Sequence, residues 1–141
     1  MSRVLVILQF VLIALLAYPF TRPTIDLLVV TLFLGGLLVF CMAILAMKWR
    51  TFTVMPEPKA GGELVTHGIY RVVRHPMYLA VLLCAAAASL AYMQWWRWLL
   101  FALLALVLIV KMRREERLLE QRYAGYAAYR ARVKAIIPFV I

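Results

Sequence analysis

Leu64-Val65-Thr66-His67-Gly68-Ile69-Tyr70-Arg71-Val72-Val73-Arg74-His75-Pro76-Met77-Tyr78 is a basic, polar run holding both histidines of an otherwise apolar chain. Pro at the first turn of a helix is conformationally favoured, so Pro76 starts a helix and everything before it in the run is loop. The apolar segments on either side then become membrane-span candidates. The composition agrees, with 67% hydrophobic residues and a mean hydropathy of +0.93 across 141 residues. That is the signature of one membrane domain, 1–141, and not of a soluble one.

Working outward, residues 77–92 form an Ala-rich span and 93–112 the next, joined so closely that they make an antiparallel hairpin. Arg97 at the start of that last span is expected to snorkel to the interface, among the belt residues Trp95, Trp96 and Trp98. Upstream, residues 48–76 form a long loop whose Pro56, Pro58, Gly61 and Gly62 exclude a continuous helix. Before it, 27–47 is uncharged throughout, with Gly35-Gly36 suited to close approach of a neighbouring helix or to a bend. Residues 4–20 make a further span, read as a retained first span or signal anchor, and Tyr18, Pro19, Arg22, Pro23 and Asp26 make a polar turn. The tail, 113–141, reads as amphipathic helix with Leu119, Tyr123, Tyr126, Val133 and Ile137 on one face, Gly125 as an interruption and Pro138 as the end. The expected fold is therefore all-α and integral to the membrane: four transmembrane helices, the last two a hairpin, plus a cytoplasmic C-terminal helix.

The net charge of +10 does not point to nucleic acid, because the basic residues sit between and after the spans, where anionic headgroups lie. Of the 16 Lys and Arg, only Arg22 and Arg97 fall in the turns after the first and third spans. The positive-inside rule then puts both termini, the long loop and the tail in the cytoplasm. Loop and tail can meet there. Cys41 and Cys84 lie within spans and read as small apolar residues, not as a disulfide or metal site.

Two clusters can carry chemistry. Arg74-His75-Pro76-x-Tyr78 places His75 at a helix start, beside unpaired N–H groups that suit an anionic ligand group; the alternative is a headgroup anchor. Glu115-Glu116 begins where the last span emerges, amid Lys111, Arg113, Arg114 and Arg117, and reads either as a ligand site or as ion pairs along a solvated helix. No P-loop, dinucleotide fingerprint, metalloprotease motif, metal-ligand cluster or nucleophile elbow is present.

The pattern Leu64-Val65-x-x-Gly68-x-Tyr70-x-x-x-Arg74-His75-Pro76-x-Tyr78, followed by Glu115-Glu116-x-x-Leu119, Tyr123, Tyr126, Tyr129, Val133 and Pro138, resembles the signature of the isoprenylcysteine carboxyl methyltransferase and phospholipid methyltransferase superfamily. The resemblance implies a membrane enzyme that takes its methyl group from S-adenosylmethionine. It places the cofactor contacts on Leu64, Val65, Tyr70, His75, Pro76, Met77, Tyr78 and Glu115. Lys111 falls where the carboxyl methyltransferases hold a substrate-binding arginine, with Arg113 and Arg114 as neighbouring substitutes for orienting substrate. The implied partner is a membrane lipid or a lipidated small molecule or peptide. A carboxylate acceptor needs no base, whereas a lipid amine needs His75 or Glu116 to take a proton. Ala80 stands where the pattern usually has glycine, and Tyr123 to Tyr126 is one residue shorter than usual. The competing readings are a phospholipid amine N-methyltransferase, a membrane NADPH reductase of the sterol-reductase type and a non-catalytic membrane scaffold.

Overall fold

The computed structural model describes residues 2–47 and 64–136. Within them lie five α-helices, α1 (Ser2–Ala17), α2 (Leu27–Ala46), α3 (Pro76–Tyr92), α4 (Trp95–Arg122) and α5 (Tyr126–Arg132), with a 3-10 turn at Gly68–Arg71. No strand occurs among the described residues beyond one parallel bridge between Val73 and Lys134. The Pro/Gly-rich stretch 48–63, and Ile137 and Pro138 of the tail, lie outside the described residues.

The helices begin and end for local reasons. The Asp26 carboxylate accepts from the Val29 backbone N–H at 2.8 Å and caps α2. Pro76 occupies the first turn of α3, as its fixed φ favours. The turn between α3 and α4 is closed by Met93 at φ 47, a left-handed conformation in a non-glycine residue. Successive helices run in alternate directions. The start of α1, Met47, His75 and Glu115 therefore share one end of the bundle, while Leu16, Val29, Ala91 and Arg97 share the other.

Four expected features change. Only α2 and α4 are long and apolar enough to cross a membrane by themselves, not four helices. α1 stops at Ala17, not at residue 20, because Tyr18 precedes Pro19 and is driven out of the helical region. At 16 and 17 residues, α1 and α3 rise about 24 and 26 Å, short of a core of about 30 Å. The tail does not begin at residue 113 either: α4 continues to Arg122 and the separate tail helix is the short α5, with Gly125 as its N-cap. Arg97 does not snorkel. It is fully buried, donates to the carbonyls of Leu16 at 2.5 Å and Tyr18 at 2.7 Å, and lies 3.8 Å over the Tyr92 ring. It thus satisfies carbonyls that the end of α1 leaves open.

α3 is the central helix, packed on α2, α1 and α4. Of the glycine pair, only Gly36 makes the close approach: a Cβ there would meet the Cys84 Sγ at 2.7 Å and the Ala80 carbonyl at 3.0 Å, whereas one at Gly35 meets nothing. Gly36→Val is accordingly expected to force α2 from α3 and cost about 1–3 kcal/mol. Gly35→Ala should be neutral or slightly stabilising. Urea or thermal unfolding in detergent of the two variants separates these outcomes, and equal effects would contradict the packing.

Candidate functional site

At the end of the bundle that holds His75, the loop before α3 is pinned by glycine and by backbone pairing. Gly68 has φ +59, and a Cβ there would meet the Ala46 Cβ at 3.1 Å, so the motif glycine serves both a left-handed turn and a close approach to α2. The N–H groups of Arg74 and His75 donate to the carbonyls of Lys134 at 2.8 Å and Ala135 at 2.9 Å. This stitches the loop to the chain leaving α5. Tyr129 adds a second tie by donating to the Tyr70 carbonyl at 2.7 Å, and burial pushes its hydroxyl up to about 12, so it remains a donor at any physiological pH.

Arg74 is wholly committed to this framework. Its Nε and Nη2 both donate to Glu116 Oε1, at 2.9 and 2.6 Å, while Nη1 donates to the carbonyls of Arg130 and Val133 at the end of α5. The same Glu116 oxygen lies 3.3 Å from His75 Nε2. Burial raises the Glu116 pKa, but the bonds from His75 and Arg74 and the Arg74 charge outweigh it and hold the carboxylate at about 2. A carboxylate with that affinity for protons is a fixed counter-ion and a poor proton acceptor. Glu116 is therefore unsuited to the role of general base expected as an alternative to His75.

Glu115 differs from its neighbour. Its side chain keeps 27% exposure against 9% for Glu116, and among the described residues its contacts all fall on Oε2: the Tyr78 hydroxyl donates at 2.7 Å and His75 Nδ1 lies at 3.8 Å. The His75 and Tyr78 rings stack, 5.3 Å apart and 4° from parallel. The helix start at His75 does not suit an anion as expected, because its own N–H is bonded to Ala135 and the two groups facing it are carboxylates. Its chemistry favours a ligand that brings positive charge or hydroxyl donors.

The other expected site residues distribute unevenly. Tyr70 is buried with Ile69, Val73 and Ala43, and Val65 and Met77 pack on that cluster, so this part of the motif shapes the wall beside Glu115. Leu64 is half-buried, and Pro76 is buried at the start of α3. Lys111 faces the bundle interior, 3% exposed, donating to Gln9 at 2.8 Å and lying 5.4 Å over the Tyr78 ring. Arg113 is exposed on the other face of α4, and Arg114 is half-buried. The sequence reading left out Gln9, although a single amide between Val4 and Ala17 in an otherwise apolar helix is a signal of its own. It also gave Tyr126 no role. That residue is 1% exposed and its hydroxyl is the one buried side-chain polar atom without a hydrogen-bond partner among the described residues.

An apolar cavity of about 670 Å³ begins one helical turn from Pro76, at Ala80, and runs between α1, α2 and α3 past Leu16, Phe33, Gly36 and Cys84 to Tyr92.

The class is thus a helical bundle with two helices long and apolar enough to cross a membrane and a carboxylate–tyrosine–histidine cluster at one end. The sequence pattern of phospholipid methyltransferases matches residues 25–125, and the chain belongs to that family. It is thus a membrane protein of a methyltransferase family. No curated protein gives a significant match to the chain.

The ion pair sets a pH dependence. Glu116 titrates at about 2 in the folded state against an ordinary 4.5, so its contribution is complete above 4.5 and is lost as pH falls toward 2. That loss amounts to on the order of 3 kcal/mol. Thermal melts between pH 6 and pH 3 should show a declining midpoint, and Glu116→Gln should be less stable at pH 6 with a flatter decline. An unchanged slope would contradict the pair.

Proposed function

We propose that the protein transfers a methyl group from S-adenosylmethionine to a lipid or lipidated acceptor at the cytoplasmic face of the membrane. The observation that carries this reading is the partly exposed Glu115 carboxylate, oriented by Tyr78 and flanked by His75, at one end of the bundle. S-adenosylmethionine fits that set: its ribose hydroxyls and amino group are donors for Glu115, and the stacked rings offer faces to its adenine or its sulfonium. Tyr126 holds one more uncommitted hydroxyl on the same side of the bundle. The donor supplies a methyl group on a positively charged sulfur. The chain's part is to hold donor and acceptor in line and to exclude water.

In this reading Glu115 binds the cofactor, Tyr78 fixes the carboxylate, and Leu64, Val65, Tyr70, Pro76 and Met77 form the wall. Glu116 and Arg74 hold the loop that carries His75. The acceptor's hydrocarbon lies in the cavity between α1, α2 and α3, with its head beside Tyr78. If the acceptor is a phospholipid amine, His75 is the group in place to take its proton. If it is a carboxylate, Lys111 orients it. The family match supports methyl transfer over the NADPH-reductase and scaffold alternatives.

Calorimetry on the purified chain in detergent tests this. S-adenosylhomocysteine should bind saturably and NADPH should not. Glu115→Ala should weaken binding by about 10- to 100-fold, the loss of a hydrogen bond to a charged group. Absence of S-adenosylhomocysteine binding to the folded wild-type chain would remove the proposal.

A further inference from the structure

Between Val4 and Ala17 of α1 every residue but Gln9 is apolar, and Gln9 is 7% exposed. It is buried because its Oε1 accepts from Lys111 Nζ at 2.8 Å. α1 lies outside the residues that match the family, 25–125, so this contact joins a separate helix to the site. Lys111 is one helical turn before Glu115 on α4, and its ammonium lies 5.4 Å over the ring of Tyr78, whose hydroxyl holds Glu115. Gln9, Lys111, Tyr78 and Glu115 thus form one continuous series.

The series is electrostatically incomplete at Lys111. An ammonium has three donors, and the structure gives this one a single hydrogen-bond acceptor among the described residues, a neutral amide, plus an aromatic face. A cation buried among neutral partners is costly unless an anion joins it. Glu115 is near but directs Oε2 to Tyr78 and His75. Two of its three donors thus have no hydrogen-bond acceptor among the described residues and are open to an anion that a ligand brings.

We propose that Gln9 is a positioning residue of the acceptor site: it holds the Lys111 ammonium under Tyr78 so that its remaining donors meet an oxyanion, phosphate or carboxylate, on a lipid acceptor. This rests on the reading that the chain methylates a lipid acceptor. Without Gln9 the lysine stem is free to swing out of register, and the ammonium loses its defined place. The role is to act through Lys111, and Gln9 itself touches no reacting atom. Gln9→Glu gives Lys111 an internal carboxylate, which satisfies the ammonium and competes with the ligand's anion.

The test uses the full chain in a neutral maltoside detergent, with thermal midpoint and calorimetry as readouts. The probes are oleoyl lysophosphatidate, oleate and monoolein, which share one chain and differ in headgroup charge. The wild type should bind the two anionic probes saturably and in preference to monoolein; the tighter of the two identifies phosphate or carboxylate as the preferred oxyanion. Gln9→Leu should lose about 10-fold in affinity for the anionic probes while monoolein binding is unchanged. Gln9→Glu should keep or raise the midpoint and lose anion affinity, a split that a merely structural role does not give. The exchange Gln9→Lys with Lys111→Gln rebuilds the hydrogen bond with the ammonium on α1; it should recover the midpoint and not the anion affinity. The proposal falls if the wild type shows no preference for the anionic probes, or if Gln9→Leu and Gln9→Glu bind them as the wild type does. S-adenosylhomocysteine binding, measured on the same samples, is expected to be intact in Gln9→Leu, which keeps a failure here distinct from a failure of the methyl-transfer reading.

Discussion

The contact between Arg74 and Glu116 joins three pieces of chain that are distant in sequence. Arg74 belongs to the loop before α3, Glu116 to the part of α4 beyond its apolar stretch, and the carbonyls of Arg130 and Val133 to the end of α5. A single planar guanidinium reaches all of them because its donors diverge in a fixed fork. Both partners are nearly buried, with side chains 9% exposed. Desolvation alone would make such a pair costly. It is favourable here because Arg74 and His75 both saturate the same carboxylate oxygen and because the guanidinium also closes the carbonyls of a helix end. Lysine in place of Arg74 would keep the charge and lose two of those three connections.

With Glu116 consumed as a counter-ion, the adjacent carboxylate is released for other work. Successive residues on a helix point about 100° apart, so Glu115 and Glu116 sit on different faces although they are neighbours in sequence. One faces Arg74 and α5, the other Tyr78 and the bundle interior. His75 stands between them, with Nε2 toward Glu116 and Nδ1 toward Glu115. An Arg–His pair next to a Glu–Glu pair thus resolves into one structural ion pair and one partly exposed carboxylate held by Tyr78.

Features carried by backbone chemistry were legible in the sequence. Pro76 announces a helix start and Gly125 a break, because each acts within a few residues of itself. The family motif was legible for the same reason, being two short blocks. What a side chain meets across the bundle was not. Arg97 reads as an interfacial residue beside three tryptophans until the open carbonyls of α1 are brought to it. Gly35 and Gly36 are equivalent on paper and separate only once the face toward Cys84 is known. Lys111, Arg113 and Arg114 form one basic cluster in sequence, yet helical periodicity turns Lys111 inward and Arg113 outward. The four-span count failed on length: apolar residues were counted through Pro19, where the backbone cannot continue as helix.

The depth of the site follows from α4. Starting at Trp95, an exposed aromatic suited to an interface, a helix needs about 20 residues to rise through a core of about 30 Å. That brings it to Glu115. The first carboxylate of α4 thus appears where hydrocarbon gives way to headgroups, and the remaining turns to Arg122 lie beyond, with the loop and α5 folded against them. A carboxylate one turn earlier would be in hydrocarbon, as Lys111 is, and would need a buried partner such as Gln9. A carboxylate one turn later would lie wholly beyond the apolar core. The spacing of four residues between Lys111 and Glu115 therefore places one charge just inside the apolar boundary and one at it, one turn apart on α4.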